Sequence, residues 1–207
     1  MSIYRVLPYK KIADDVKLSQ SIVIKTLKDL EERGDIKIIT GTIELTSWVL
    51  EALEPYRVKR AVIMDAGFGS RMMPATKNCP KPMVKINGKR IIETQLDALI
   101  DAGIKDITIV RGYRREKYDE LLSKYPFLKF IDNDDYDKTN NISSVIKALD
   151  RIKGGTYLNE ADLYITNSDV ITKYQYTSNI LGSYSLETDD WSFRMKDGGQ
   201  VQNVGVN

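Results

Sequence analysis

Residues 61–82 read Ala61-Val-Ile-Met-Asp-Ala-Gly-Phe-Gly-Ser-Arg-Met-Met-Pro-Ala-Thr-Lys-Asn-Cys-Pro-Lys-Pro82. The short apolar run 61–64 predicts a buried strand, and it leads into a loop that contains Gly67 and Gly69. Glycine lets backbone N–H groups approach a ligand closely, so a loop of this kind can enclose phosphates. Arg71 offers a planar fork for phosphate oxygens, and Lys81 offers a compact positive charge. The stretch therefore favours a polyphosphate site over a tight turn with two surface cations.

The composition of the whole chain is typical of a soluble globular protein. It has 207 residues, of which 42% are hydrophobic and 29% are charged. No apolar run approaches the roughly 20 residues of a membrane span, and the first residues do not resemble a signal peptide. We therefore expect a cytoplasmic protein that has no membrane partner. The net charge is only +2, so an anionic substrate must be bound by local cations.

The chain contains no histidine and a single cysteine, Cys79. This composition excludes an internal disulfide, zinc sites built from cysteine and histidine, and every mechanism that needs an imidazole base. Any metal must be a hard cation bound by carboxylates and phosphates, and Mg²⁺ fits that description.

The first 56 residues predict a small unit of their own. Helices are predicted at 10–16 and 19–33, a β-hairpin with Gly41 in its turn at 35–46, and a linker helix at 46–57. A helix–turn–helix followed by a hairpin is typical of a winged-helix domain. The second helix has no excess of positive charge, so DNA binding stays open beside a role in packing or in forming a homodimer.

Strands and helices alternate from residue 57 onward. Strands are predicted at 61–64, 106–110, 128–131 and 156–160, and helices at 91–102, 114–124 and 142–151. Such alternation predicts right-handed βαβ crossovers and a mainly parallel sheet. We therefore predict an α/β fold with a Rossmann-like sheet over residues 57–207, preceded by the small winged-helix domain.

Polar residues follow each predicted strand. They are the glycine loop after 61–64, Arg111-Gly112-Tyr113 after 106–110, Asp132-Asn133-Asp134 after 128–131, and Asp162 after 156–160. Ligands of open α/β sheets bind outside the carboxyl ends of the strands. We therefore predict that the four strand ends form one ligand-binding edge of the sheet, called the rim below.

The motif Gly67-Phe-Gly-Ser-Arg-x2-Pro-x-Thr-x3-Pro-Lys-Pro82, followed by Val84-Lys-Ile-Asn-Gly-Lys89, resembles that of nucleotidyltransferases of the nucleotide-diphospho-sugar transferase type. Within them the chain is most similar to bacterial CTP:phosphocholine cytidylyltransferases that carry a winged-helix domain. The similarity extends from about residue 53 to about residue 204. The family continues beyond residue 207, so the resemblance implies that this chain lacks the family's C-terminal part.

The resemblance implies a Mg²⁺-dependent transfer of CMP from CTP to phosphocholine, which gives CDP-choline and pyrophosphate. Two alternatives stay open, a sugar-1-phosphate nucleotidyltransferase and a non-catalytic nucleotide-sensing winged-helix regulator. By resemblance, Lys81 and Arg71 are the catalytic cations, and Lys81 neutralises charge at the α-phosphate under attack. The implied nucleotide-binding residues are Ala66, Gly67, Gly69, Ser70, Gly112, Tyr113 and Asn133.

Metal and acceptor contacts are also implied by the resemblance. Asp162 matches the acidic residue that holds Mg²⁺ in the family; a solvated loop carboxylate is the alternative, and Asp169 is a weaker rival. Asn141 matches a position near the substrate, although it could instead cap a helix.

Asp190 and Trp191 match an acidic residue followed by tryptophan in the family, and with Tyr113 they are candidates for the choline pocket. Aromatic faces and carboxylates are what recognise a quaternary ammonium group. Simple core packing is the alternative for Trp191.

Asp65 departs from the family, which usually has a small residue at this position. A carboxylate ~6 Å from a phosphate charge would cost roughly 2–3 kcal/mol at an effective dielectric constant near 20. We therefore expect Asp65 to weaken nucleotide binding unless Mg²⁺ or Lys81 compensates.

Overall fold

The computed structural model describes residues 9–39, 42–65, 67, 69–138, 141–182, 191–196 and 201–206. They form two compact units, Met1–Tyr176 and Thr177–Asn207. The predicted division between residues 56 and 57 falls inside the first unit and remains a prediction. Within the described ranges, no helix combines the length and the apolar character needed to cross a bilayer.

Two helices and a hairpin form the N-terminal part of the first unit. Helix α1 (Tyr9–Val16) and helix α2 (Gln20–Glu32) contact each other, and Ala13 and Val23 are buried. The Ser19 hydroxyl caps α2 by accepting the backbone N–H of Ile22 at 3.4 Å.

Strands β1 (Ile36–Ile39) and β2 (Thr42–Leu45) then pair antiparallel. The predicted helix–turn–helix–hairpin order is confirmed, whereas Gly41 lies outside the described residues.

A short connection leads from this hairpin to the main sheet. Helix α3 (Ser47–Leu53) is followed by a 3₁₀ turn, Glu54–Tyr56, that contains Pro55. The Thr46 hydroxyl and the Trp48 indole N–H both donate to the Gly34 carbonyl, at 3.0 and 3.1 Å. The predicted linker helix therefore exists, and these hydrogen bonds tie its start to the base of the hairpin.

The remainder of the first unit contains a short hairpin and a four-stranded sheet. The elements are β3 (Arg60–Met64), β4 (Lys85–Ile86), β5 (Lys89–Arg90), α4 (Ile91–Asp101), β6 (Asp106–Arg111), β7 (Lys129–Asp132), α5 (Asn141–Lys147) and β8 (Thr156–Glu160). The sheet has the order β7-β6-β3-β8, and all its neighbouring strands are parallel. Met64 lies opposite both Val110 and Glu160, so three of the strands end at the same level. The predicted mainly parallel α/β fold is confirmed.

Alternate residues of β3 point to opposite faces of the sheet, as the period of a strand requires. Ala61 and Ile63 belong to a core cluster that includes Leu96 and Leu99 of α4. Val62 and Met64 belong to a second cluster on the other face. Because both faces are covered, the central strand has the continuous apolar sequence that is typical of a buried parallel strand.

Two predicted helices differ from the structure. The predicted helix 114–124 is a 3₁₀ helix, Arg115–Ser123, that follows Arg114 at φ +51°. Its buried residues Tyr118 and Leu121 are three positions apart, which matches the three residues per turn of a 3₁₀ helix. The predicted helix 142–151 is α5 followed by a 3₁₀ turn, Leu149–Arg151.

In the second unit, strand β9 (Trp191–Met195) pairs antiparallel with strand β10 (Val201–Val206).

Candidate active site

The glycine loop after β3 packs on the side chain of Lys81. Gly69 has φ +62°, and a Cβ atom built on it would lie 3.0 Å from both the Lys81 Cβ and the Thr76 Cγ2. The Thr76 hydroxyl donates to the Gly69 carbonyl at 2.7 Å. Only glycine fits here, because both the backbone conformation and the close approach exclude a side chain.

Lys81 and Asp162 form an ion pair beside this loop. The Lys81 Nζ lies 2.5 Å from the Asp162 Oδ2, and the two side chains are 33% and 41% exposed. Lys81 begins a 3₁₀ turn whose next residues, Pro82 and Met83, are buried. Asp162 comes two residues after the end of β8. The rival Asp169 lies in a different 3₁₀ turn, where its N–H donates to the Asn167 side chain at 3.0 Å.

Gln95 of helix α4 holds the segment that carries Asp162. Its side chain is fully buried, and its Nε2 lies 3.0 Å from each of the carbonyl oxygens of Glu160, Ala161 and Leu163. These hydrogen bonds fix the backbone on both sides of Asp162. Sequence reasoning missed Gln95, although a glutamine among the apolar positions of a helix is itself unusual.

Thr94 makes a further contact of the same kind. Its hydroxyl accepts the backbone N–H of Ile165 at 2.9 Å and donates to the Ile91 carbonyl at 2.7 Å. Helix α4 thus positions the Asp162 segment through two neighbouring polar side chains, and sequence reasoning missed both.

Asp65 lies at the start of the glycine loop and is only 6% exposed. Its carboxylate accepts a short hydrogen bond from the Tyr118 hydroxyl and another from the Gly67 backbone N–H. The pKa of Asp65 is raised to about 7, chiefly by burial and also by the nearby charge of Asp162, while the Tyr118 hydrogen bond opposes the rise. Near pH 7 the carboxyl is therefore about half neutral, so it carries less than the full negative charge assumed from the sequence. Its effect on nucleotide binding remains a prediction.

Gly112 and Tyr113 lie at the end of β6. A Cβ on Gly112 would come within 2.6 Å of the Tyr136 Cβ, so the Tyr136 side chain packs directly on this glycine. The Tyr113 hydroxyl donates to the Lys77 carbonyl at 2.8 Å. This contact connects the end of β6 to the segment that leads to Lys81.

Asn133 follows β7 and is buried. Its Nδ2 donates to the hydroxyls of Ser143 and Ser144 at 3.0 and 3.1 Å, and its Oδ1 accepts the Asp135 N–H at 3.1 Å. These contacts hold helix α5 at the rim, and the predicted nucleotide contact of Asn133 remains a prediction.

The other predicted site residues are placed as follows. Ser70 and Arg71 lie in a 3₁₀ turn of the glycine loop, and the exposed Arg71 has no ion-pair partner in the part of the chain that the structure describes. Asn141 is the first residue of α5, and Trp191 is the first residue of β9 in the second unit. Ala66 and Asp190 lie outside the described residues.

The exposed carboxylate at the rim, Asp162, is a donor group of the kind that Mg²⁺ prefers. Among the described residues, no group of three or more acidic or cysteine side chains is arranged so that it could hold a metal ion. Mg²⁺ is usually bound by one or two carboxylates together with substrate phosphates and water. A single exposed carboxylate such as Asp162 matches that pattern.

A parallel sheet whose rim carries a glycine loop, a lysine and a carboxylate is typical of nucleotide-binding α/β proteins. Residues 60–189 match the protein family described as Nucleotidyl transferase, and this range covers more than half of the chain. The chain belongs to the nucleotidyl transferase family. The match begins at residue 60, so the winged-helix prediction for residues 1–56 remains a prediction.

Several named relatives are cytidylyltransferases. The chain is 39% identical over 147 residues to a 2-aminoethylphosphonate cytidylyltransferase of Lancefieldella rimae, covering 70% of this chain and 60% of the relative. It is 40% identical over 111 residues to a CTP:phosphoglutamine cytidylyltransferase of Campylobacter jejuni, covering 54% and 44%. It is 33% identical over 149 residues to a choline-phosphate cytidylyltransferase of Streptococcus pneumoniae, covering 71% and 63%.

A solved structure of the CTP:phosphocholine cytidylyltransferase from Streptococcus pneumoniae matches with a TM-score of 0.67 and 34% identity, covering 73% of this chain and 65% of that one. The chain thus spans less than two thirds of the length of each of these relatives. Their names share CTP or cytidylyl transfer and differ in the acceptor.

Proposed function

We propose that this chain binds CTP and takes part in transferring CMP to a small acceptor that carries a phosphate or phosphonate group, with release of pyrophosphate. The observation that carries the proposal is the Lys81–Asp162 ion pair beside a glycine loop that packs on Lys81. Membership in the nucleotidyl transferase family and the cytidylyltransferase names of the relatives support it.

In this proposal the protein contributes position and charge. The backbone N–H groups of the glycine loop bind the triphosphate. Arg71, an exposed cation in the 3₁₀ turn of the same loop, adds a positive charge for the phosphates. The triphosphate competes with Asp162 for the Lys81 ammonium, which then neutralises charge at the phosphorus under attack. The acceptor oxygen is already ionised near pH 7, so no general base is needed, and positioning with charge neutralisation supplies the rate enhancement.

Mg²⁺, when bound, would neutralise phosphate charge and stabilise the leaving pyrophosphate. Asp162 is the residue that would hold it, and Gln95 keeps the backbone on both sides of that carboxylate in place.

For the acceptor we propose a cationic amine that is joined to a phosphate or phosphonate by a two-carbon chain. This chemistry is shared by choline phosphate and 2-aminoethylphosphonate, which the names of two relatives specify. Phosphocholine, the acceptor implied by the sequence resemblance, is one member of this class.

The test measures pyrophosphate release and CTP binding. The chain is incubated with CTP and Mg²⁺ and with phosphocholine, 2-aminoethylphosphonate or glucose 1-phosphate. We expect turnover with an amine acceptor, and a loss in kcat/KM of about 10²–10³-fold in Lys81→Ala. The control Lys153→Ala removes an exposed lysine whose ion-pair partner is Asp150, and we expect it to match the wild type.

Calorimetry with CTP separates the alternatives. CTP binding that is lost in Lys81→Ala, without turnover of any acceptor, would favour the nucleotide-sensing regulator, and preference for glucose 1-phosphate would favour a sugar-phosphate enzyme. Absence of both CTP binding and turnover would refute the proposed function.

A further inference from the structure

A cavity of about 410 Å³ lies next to the segment that supports Lys81. Its lining includes Cys79 and Met83 from this segment, Lys85 and Arg90 from the β4–β5 hairpin, and Lys117 and Glu120 from the 3₁₀ helix after β6. Lys81, Asp162 and the glycine loop are not part of the lining, so this cavity is separate from the candidate active site. Its volume lies in the range of small-ligand sites.

The cavity has a surplus of two positive charges, because three cations face one carboxylate. Arg90 is held in place by Glu120, whose Oε2 lies 2.6 Å from the Arg90 Nη2. Lys85 and Lys117 form no ion pair with any residue that the structure describes, although the Lys117 side chain is partly buried. Two ammonium groups are therefore available to a ligand.

We propose that this cavity binds a small phosphorylated ligand through Lys85, Lys117 and Arg90. A phosphate monoester near pH 7 is largely a dianion, which matches the surplus charge. Ammonium and guanidinium groups are the side chains that bind phosphate oxygens best. The apolar residues Ala75 and Val84 also line the cavity, where they can contact a small organic group attached to the phosphate.

The cavity and the active site share one segment of chain. Cys79 and Met83 line the cavity, whereas Thr76 and Lys81 from the same segment contact Gly69 of the glycine loop. A ligand that changes the position of the segment from the cavity side also changes the position of Lys81 on the other side. The site is therefore regulatory for CMP transfer; this last step rests on the proposed function, whereas the binding itself does not.

Cys79 provides a local reporter of binding. It is the only cysteine of the chain, it lines the cavity, and it is partly exposed. The experiment measures the rate at which uncharged N-ethylmaleimide alkylates Cys79 as inorganic phosphate is added, with chloride at the same ionic strength as the reference. We expect the rate to fall about tenfold at a phosphate concentration about ten times its Kd.

Variants show whether phosphate slows the alkylation of Cys79 by binding in the cavity. Each variant is compared with itself without phosphate, since burial raises the pKa of the Cys79 thiol and nearby lysines lower it. The double variant Lys85→Ala/Lys117→Ala should lose the protection, while Lys81→Ala and the surface control Lys153→Ala should retain it. Phosphoethanolamine, tested beside inorganic phosphate, shows whether the organic group adds affinity.

Two results would overturn the proposal. In the first, chloride protects Cys79 as well as phosphate does, or the double variant is protected as well as the wild type. In the second, protection disappears in Lys81→Ala and persists in the double variant, which would place the phosphate in the nucleotide site. Because Lys81→Ala tests the nucleotide site and the double variant tests the cavity, failure of the cavity proposal and failure of the proposed function give different results.

Discussion

Replacing Asp65 by asparagine should remove a pH dependence from the stability of the first unit. The pKa of Asp65 is raised from its ordinary value of 3.8 to about 7, chiefly because the carboxyl is buried. A shift of about three pK units corresponds to about 4 kcal/mol, at roughly 1.4 kcal/mol for each unit. The magnitude is a large fraction of the stability of a typical domain.

The sign follows from proton linkage. The folded state binds the Asp65 proton more tightly than the unfolded chain does, because the folded-state pKa is higher. This stabilisation is fully present below about pH 3.8 and is lost as the pH rises through about 7. The variant Asp65→Asn has no proton to lose, and its side-chain oxygen can still accept the hydrogen bonds from Tyr118 and Gly67.

The assay is urea unfolding of the wild type and Asp65→Asn between pH 4 and pH 8. We expect the free energy of unfolding of the variant, relative to the wild type, to increase by about 3–4 kcal/mol across this range. Asp150→Asn is the matched control, since the Asp150 side chain is 98% exposed, and its difference from the wild type should not change with pH. A difference for Asp65→Asn that is equally constant would refute the assignment of a raised pKa.

Two further substitutions test the supports of the active site. Gly69→Ala should lower the free energy of unfolding by about 1–2 kcal/mol, and it should also weaken CTP binding measured by calorimetry because the new Cβ meets Lys81. Gly103→Ala is the control, since Gly103 has a similar backbone penalty at φ +84° but no atom within 4 Å of the new Cβ. It should therefore lower stability alone. Equal CTP affinity in both variants would contradict the packing argument. Gln95→Leu should leave Asp162 poorly positioned and lower kcat by about tenfold with an increased Mg²⁺ requirement, since three backbone carbonyls lose their buried donor. An unchanged Mg²⁺ dependence would assign Gln95 a structural role only.

The parallel sheet could be predicted because its strands have a local pattern. Residues 61–64 are a short apolar run and residues 107–110 are mostly apolar, and each stretch is followed by polar or glycine residues where a strand must end. The prediction of 156–160 as a strand is also confirmed, although this edge strand is more polar. Parallel pairing then follows from the alternation with helices.

The 3₁₀ helix at Arg115–Ser123 could not be distinguished from an α-helix by its pattern. Tyr118 and Leu121 share a face in either kind of helix, because a separation of three residues fits both periods. Whether the segment forms a 3₁₀ helix or an α-helix depends on how it packs between the end of β6 and the core. The local sequence pattern does not determine that packing.

The rim could be predicted from the strand ends, but its internal contacts could not. Lys81 and Asp162 are 81 positions apart, and Asp65 and Tyr118 are 53 apart. Neither pair has a local pattern that connects its members. From the sequence we treated Asp65 as a full negative charge near the phosphates, whereas burial raises the pKa of its carboxyl and the Tyr118 hydroxyl opposes that rise.

The contacts at the rim divide into two kinds with different strengths. Gln95 and Thr76 donate to backbone carbonyls within the fold, and removing such a buried donor leaves acceptors unsatisfied at a cost of about 1–3 kcal/mol each. The Lys81–Asp162 ion pair is partly exposed, and pairs of this kind contribute only about 0–1 kcal/mol. The backbone of the site is therefore fixed, whereas its charges can exchange partners. A triphosphate can displace Asp162 from Lys81 at little energetic cost and meets a lysine that is already in place.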